Sequence, residues 1–372
     1  MEKDRAYKLA FAFLKRMNAG VLKEVASRGI TPEDFFTLPT KELVNRLGIR
    51  QEHEFDRGAR DEALSLAKKE LEKIKSHNIE TLFLLDEDYP QRLAETDEPP
   101  IVLYKLGEAE LEEEHMISVV GTRKPTAYGL DFCDSLIGEL GDCLPDSVVI
   151  SGLAYGIDVA AHKKALEKGL KTVAVLAHGL NMIYPAAHRN LAKEIIRTGG
   201  ALLTEYPFDV TPFKPNFLAR NRIVAGLSDV TVVVESNIKG GAMSTANYAF
   251  MYNREVMALP GRSIDDESSG CNRLIKKNKA HLIENLKDLI EVTGWSPLNL
   301  RLDEDVEGVI PELAGESSEI YERIRQNREP VVMDELVHHT GLPASKLLGI
   351  LSELEFEGYL IRLPGNRWSI RK

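Results

Sequence analysis

The sequence predicts an α/β protein: an extended Rossmann-like, doubly wound and mostly parallel sheet, preceded by a small helical domain and followed by a winged helix. Three observations predict it. From Met116 onward, short β-branched apolar runs alternate with amphipathic stretches of helical length, the pattern of βαβ units around a buried parallel sheet. Residues 1–80 read instead as several short helices punctuated by Gly20, Gly29 and Gly48. The tail reads as three helices and a strand pair, the order of a winged helix-turn-helix.

In the N-terminal segment, Thr31-Pro32-Glu33-Asp34 is a helix start, with Thr31 placed to cap and Pro32 at the first helical position. Leu9, Phe11, Leu14, Leu22, Phe35, Phe36, Leu43 and Leu47 supply a small helical core, and packing or partner binding is the expected role. The central domain spans 81–295 with its core at 116–292. Its strands are expected at 117–120, 148–150, 172–176, 201–204, 230–234 and 256–259, with helices at 130–140, 158–167, 189–197 and 244–252. Residues 296–316 contain Pro297, Asp303-Glu304-Asp305, Pro311 and Gly315 without sustained periodicity and are expected to be a linker. The winged helix occupies 317–372, with helices at 318–326, 333–340 and 343–357 and strands at 359–363 and 367–370 turned at Pro364-Gly365-Asn366.

The 372 residues carry a formal net charge of -11, so the chain does not coat a polyanion with its whole surface, and any such site must be local. A local site is feasible because exposed charges are screened over about 8 Å at physiological salt. Cys133, Cys143 and Cys271 lack Cys-x-x-Cys spacing and are expected to be free thiols, which points to the cytosol. No apolar run approaches the roughly 20 residues needed to cross a bilayer, so neither export nor membrane insertion is expected.

Four segments could carry chemistry. The first expected strand runs into Gly121-Thr122-Arg123-Lys124 and then a helix, where backbone amides and a guanidinium suit a phosphate. The next strand ends in Ser151-Gly152-Leu153-Ala154-Tyr155-Gly156-Ile157-Asp158, ahead of His162, and parallel strands bring both turns to one sheet edge. Arg220-Asn221-Arg222 interrupts an apolar stretch and needs partners: internal carboxylates such as Asp158 or Glu205, or phosphates and bases at the same edge. Lys239-Gly240-Gly241-Ala242-Met243-Ser244-Thr245 opens another helix but lacks the Lys-Ser/Thr pair of a P-loop. Packing alone also explains any one glycine-rich turn; several in succession favour a ligand.

Together these segments, with Tyr184-Pro185 and Leu259-Pro260-Gly261, resemble the DNA-processing protein A (DprA/Smf) family. The resemblance covers 116–292, extends to the appended winged helix, and loosely includes a sterile-alpha-motif-like or helix-hairpin-helix segment at the N-terminus. It implies an extended Rossmann fold that binds single-stranded DNA without catalysis, forms a homodimer and passes the strand to the recombinase RecA during natural transformation. Carried over by position, Arg123 is the principal phosphate clamp, surrounded by Gly121, Thr122, Ser151, Gly152, Asn221, Arg222, Lys239, Gly240, Gly241, Ser244 and Thr245. Asp158, His162 and Arg220 stand as structural neighbours of the site. Where the family often has lysine after Tyr-Pro, this chain has Ala186, so Arg189 or Lys193 is expected to substitute.

An enzyme reading is the alternative. The turns lack Gly-x-Gly-x-x-Gly and the acidic residue that holds ribose hydroxyls, so no nicotinamide or flavin cofactor is expected. The Gly-Gly-Ala-Met-Ser-Thr loop weakly resembles the lysine-decarboxylase-like phosphoribohydrolases, whose catalytic glutamate corresponds here to Ala246-Asn247. His162, His178 and His188 show no zinc spacing, so no metal is expected. In the winged helix, Ser345 and Lys346 are the expected phosphate contacts, Leu347, Leu348, Leu351, Leu354 and Phe356 the expected core, and Glu353, Glu355 and Glu357 favour protein contact over DNA. Leu286, Leu289 and Ile290 form a stripe that either packs on its own sheet or meets a second copy.

Overall fold

The computed structural model describes residues 2–48, 55–297, 315–326, 331–357, 359–363 and 367–370. Two compact units divide the chain, Met1–Asn299 and Leu300–Lys372. In the first, helices α1 (Glu2–Ala10), α2 (Ala19–Ser27), α3 (Pro32–Thr37), α4 (Thr40–Leu47) and α5 (Arg57–Ser76) lead into β1 (Glu80–Phe83), α6 (Gln91–Ala94) and β2 (Val102–Gly107). The alternating part follows as β3 (Met116–Gly121), α7 (Ala127–Cys143), β4 (Val148–Ser151), α8 (Ile157–Glu167), β5 (Lys171–Val175), α9 (Arg189–Arg197), β6 (Ala201–Thr204), α10 (Lys214–Gly226), β7 (Val230–Val234), α11 (Gly241–Met251), β8 (Glu255–Ala258), α12 (Ser269–Lys276), β9 (His281–Leu282) and α13 (Leu286–Thr293).

These strands form one nine-stranded sheet in the order β1-β2-β6-β5-β4-β3-β7-β8-β9. All pairs from β6 to β9 are parallel, whereas β1 pairs β2 and β2 pairs β6 antiparallel. The chain moves outward one way from β3 through β4, β5 and β6, then returns to β7 on the other side of β3. That reversal between β3 and β7 is where open α/β sheets leave a crevice at their carboxyl edge.

Both faces of the sheet are covered, which is why its strands read as continuous apolar runs rather than as alternation. Ile117 and Val119 of β3 pack with Phe132, Leu136, Ile157 and Leu289 on one side. Met116 and Val120 of the same strand belong to the opposite cluster, which also holds Phe11, Leu22, Phe35, Phe36, Leu43, Ile223 and Ala246. The N-terminal helices therefore share one core with the sheet, and the separate domain expected over 1–80 is not walled off from it. Arg60 ties them together from inside: fully buried, it donates to the carbonyls of Phe55 at 3.0 Å, Phe35 at 2.6 Å and Leu38 at 2.9 Å. Lys8 pairs with Asp86 at 2.7 Å and fixes α1 against the sheet's first hairpin. Thr31 caps α3 through the Asp34 amide, with Pro32 in the first turn.

The second unit contains α14 (Glu316–Gln326), β10 (Val331–Val332), α15 (Met333–Thr340), α16 (Ala344–Phe356), β11 (Leu360–Leu363) and β12 (Arg367–Ile370), with sheet order β10-β12-β11. Ile320, Ile324, Leu336, Leu347, Leu351, Leu354 and Trp368 fill its core. Two expectations for α16 are corrected here. Leu348 is exposed and Phe356 is 93% exposed, because both fall off the buried stripe set by Leu347, Leu351 and Leu354. Lys346 does not stand free for a phosphate, since it pairs with Glu316 at 2.6 Å. Most of the expected linker, and the turn at 364–366, lie outside the described residues.

Candidate functional site

At the carboxyl edge of β3, β4 and β7 lies a trough of about 440 Å³ lined by Gly121, Thr122, Arg123, Lys124, Gly152, Ala154, Asp158, Phe217, Leu218, Arg220, Asn221, Gly240, Gly241, Thr245 and Glu267, among others. Five separate stretches of the chain build it: the turn after β3, the turn after β4 with the start of α8, α10, the loop from β7 into α11, and Glu267. The turn after β3 is held to the end of β7 by the Thr122 amide, which donates to the Glu235 carbonyl at 2.8 Å. It is held to α8 by the Ile157 amide, which donates to the Thr122 carbonyl at 3.2 Å. Arg123 and Lys124 are exposed, and among the described residues neither forms an ion pair. A guanidinium and an ammonium at the mouth of an amide-rich trough have the chemistry that suits an anion such as a phosphate.

The floor is charged but internally satisfied. Arg220, buried on α10, donates through Nη1 to the carbonyls of Gly152 at 2.8 Å and Val175, and through Nε to the Asn221 side chain at 3.3 Å. Asp158 accepts from the amides of Gly152 at 3.1 Å and Ala154 at 3.3 Å. Burial pushes the Asp158 carboxyl up, with Arg220 opposing, and burial likewise pushes the Arg220 guanidinium down. A Cβ at position 152 would sit 2.5 Å from the Arg220 guanidinium, so any larger residue there has to displace that buried group from its hydrogen bonds. Next to it, Leu153 takes φ +55° although fully buried, a left-handed conformation that costs about 1–3 kcal/mol for such a residue. The turn thus gives up stability to aim its backbone at the trough.

His162 lies beneath this floor. Its Nδ1 meets the Thr172 hydroxyl at 2.7 Å, and because that hydroxyl donates to the Val149 carbonyl, the imidazole proton belongs on Nδ1. Burial, reinforced by Arg220, pushes the imidazole down to about 3. The unfolded chain would take up this proton near pH 6.5, so protons favour unfolding between the two values. Stability from this group is complete above about pH 6.5 and declines as pH falls, by about 2 kcal/mol between about pH 7 and about pH 5. Urea midpoints at the two pH values should therefore differ less in His162→Gln than in the parent; an equal difference would show that His162 titrates normally.

The remaining residues expected at the site divide. Gly121, Thr122, Arg123, Gly152, Asn221, Gly240, Gly241 and Thr245 converge on the trough. Asn221 donates to the Gly241 carbonyl at 3.2 Å and so latches α10 to the start of α11. Arg222 is a correction: it makes a two-point pair with Glu205 at 3.0 and 2.6 Å and faces a different cavity, beside Asn18, Asp97 and Glu98. Two residues of helix beyond Arg220 turn its side chain by about 200°, to the side away from the trough. Ser151 is also corrected, being buried with its hydroxyl donating to the Val119 carbonyl at 2.7 Å. Ser244 and exposed Lys239 lie outside the lining, as do Arg189 and Lys193, which are exposed on α9. Leu286 and Leu289 are buried against the chain's own sheet with Ile290 packed beside them, so this stripe is core and not a surface for a second copy. Ala246 is buried and Asn247 exposed on α11, so no carboxylate stands where the hydrolases place theirs. Among the described residues no His, Cys, Asp and Glu group could hold a metal ion, and no helix is long and apolar enough to cross a membrane. The three cysteines are free.

Sequence reasoning named Lys124 and Ala154 only as members of their turns, and missed Phe217, Leu218 and Glu267 as trough residues. Phe217 and Leu218 sit in an apolar run, and α10 turns them toward the opening, a direction the run itself does not encode.

The fold and the trough place the chain among Rossmann-like proteins with a ligand crevice at the point of strand-order reversal. The family profile described as DNA recombination-mediator protein A matches residues 80–294, and a DprA winged helix domain profile matches 307–366. The chain belongs to the DprA/Smf family of DNA-processing proteins. A Mycobacterium tuberculosis relative is 39% identical over 274 residues, 73% of this chain and 69% of its own. The X-ray structure of DNA processing protein A from Streptococcus pneumoniae is similar with TM-score 0.64 and 30% identity, over 78% of this chain and 97% of that one. A Helicobacter pylori DNA processing protein A structure, described for its single-stranded DNA binding mode, matches with TM-score 0.52 and 34% identity over 57% of this chain and 94% of its own.

Proposed function

We propose that this protein binds single-stranded DNA without strong sequence preference and without catalysis, holding phosphates in the trough at the β3–β7 reversal. The observation that carries the reading is the pair Arg123 and Lys124, exposed and without an ion-pair partner among the described residues, beside three amide-bearing turns on a chain whose net charge is -11. Amides and guanidinium groups address the phosphate backbone, which every sequence shares, and this supports tolerance of sequence. Binding without turnover is supported by Asp158, the buried carboxylate at the floor, being engaged by two amides rather than turned to a ligand. Family membership supports the finer steps: passage of the strand to the RecA recombinase in DNA recombination and natural transformation, action in the cytoplasm, and a homodimer, which would have to use a surface other than Leu286 and Leu289.

Titration with a thymidine tract at several salt concentrations tests the site. With three or four phosphates neutralised, affinity should fall with a log–log slope of about -2 to -3, and Arg123→Ala should weaken binding and flatten that slope by about 0.7. Unchanged affinity and slope in Arg123→Ala would remove the clamp and the reading with it.

A further inference from the structure

The trough accounts for phosphates but not for the aromatic rings at its mouth. Tyr155 and Tyr184 are each 50% exposed and Phe213 is 62% exposed, an apolar grouping that a surface keeps only for a reason. Each is continuous with the trough. Tyr155 directly follows Ala154 of the lining. Tyr184 contacts Phe217 of the trough wall, with ring centroids 5.7 Å apart and planes inclined by 62°. Phe213 lies one helical turn ahead of Phe217.

The tyrosine rings are also braced. Tyr155 stands against His188 at 4.7 Å and 72°, and His188 donates from Nδ1 to the Leu153 carbonyl at 2.8 Å. The Tyr184 amide donates to His178 Nε2 at 3.2 Å. A ring already held in one orientation loses little further freedom when a flat partner lies on it. Helix α9 begins directly after His188, the residue that braces Tyr155, and carries the exposed Arg189 and Lys193 in its first two turns.

We propose that Tyr155, Tyr184 and Phe213 form a stacking shelf for bases that have left the trough, with Arg189 and Lys193 following the phosphates between them. The inference rests on the reading of the trough as a phosphate site. Exposed rings followed in the chain by exposed cations match the chemistry of a single strand, whose bases offer π faces at a regular phosphate spacing and are open to stacking only when unpaired. On this assignment the basic residues of α9 serve the departing strand and not the trough, which agrees with their place outside its lining.

The test compares full-length protein on three ligands: a thymidine trinucleotide, a thymidine dodecamer, and an abasic strand of the dodecamer's length. Wild-type protein should prefer the dodecamer to the abasic strand. The double substitution Tyr155→Ala with Tyr184→Ala should weaken dodecamer binding at least about tenfold, since each stack is worth on the order of 1–3 kcal/mol, and leave the other two ligands nearly unchanged. Tyr155→Phe with Tyr184→Phe should bind as wild type, which separates ring stacking from loss of folding. Arg123→Ala, run in parallel, should weaken all three ligands. If the alanine pair binds the dodecamer as wild type does, or loses the abasic strand equally, the shelf is overturned while the trough stands; if Arg123→Ala changes nothing, the trough falls and the shelf falls with it.

Discussion

Replacing Arg220 by methionine is expected to destabilise the first unit by about 3–5 kcal/mol, the cost of removing one member of a buried charge arrangement. The guanidinium is fully desolvated and serves two carbonyls and the Asn221 side chain at once. Without it those acceptors are orphaned, and Asp158 stays buried with only amide donors for company. Asp158→Asn alone should also destabilise, leaving Arg220 without its nearby counter-charge. The double variant Arg220→Met with Asp158→Asn should lose less than the two single losses combined, because the second change removes a penalty created by the first. Urea unfolding of the four proteins measures this directly. Strict additivity would show that the two groups do not sense each other and that the floor is held by hydrogen bonds alone.

Gly156→Ala carries the second large effect. Gly156 has φ +83°, and an added Cβ would come within 2.2 Å of the Thr122 carbonyl and 2.8 Å of Arg123 Cα. With ψ −126° at this positive φ the backbone lies in a region populated essentially by glycine, which costs a residue with a Cβ about 1–3 kcal/mol, and the overlap adds about 1–3 kcal/mol of strain. Because the atoms it strikes belong to the Arg123 turn, stability and DNA affinity should fall together. Thermal unfolding and a thymidine-tract titration on the still-folded variant would show both losses. A variant that is destabilised yet binds as the parent would mean that the Arg123 turn yields without leaving its binding position.

The parallel centre of the sheet was legible in the sequence because burial on both faces leaves a compositional trace, as in Val148–Ser151 and Val230–Val234. The antiparallel hairpin of β1 and β2 left none: Glu80–Phe83 is only four residues long, and Lys105 stands inside β2, its charge answered by Glu80 at 3.0 Å. Helix α10 escaped notice for a related reason. Arg220 and Asn221 are buried polar residues, and a pattern that equates burial with apolarity reads them as an interruption. The glycine turns of the site were visible because positive φ and close backbone approach demand glycine. The separation of Arg220 from Arg222 was not, since each partner is supplied by a distant part of the chain and the choice between Asp158 and Glu205 is made only when the sheet assembles.

Strand β3 pairs with β4 on one edge and with β7 on the other, although β7 lies more than a hundred positions downstream of it. A chain that stops short of β7 lacks one wall of the trough, whose lining continues through Gly240, Gly241, Thr245 and Glu267, so the trough is complete only when nearly all of the first unit has assembled. A nucleic acid that engages the finished molecule would, by mass action, raise the unfolding temperature of the entire first unit rather than of the segment it touches.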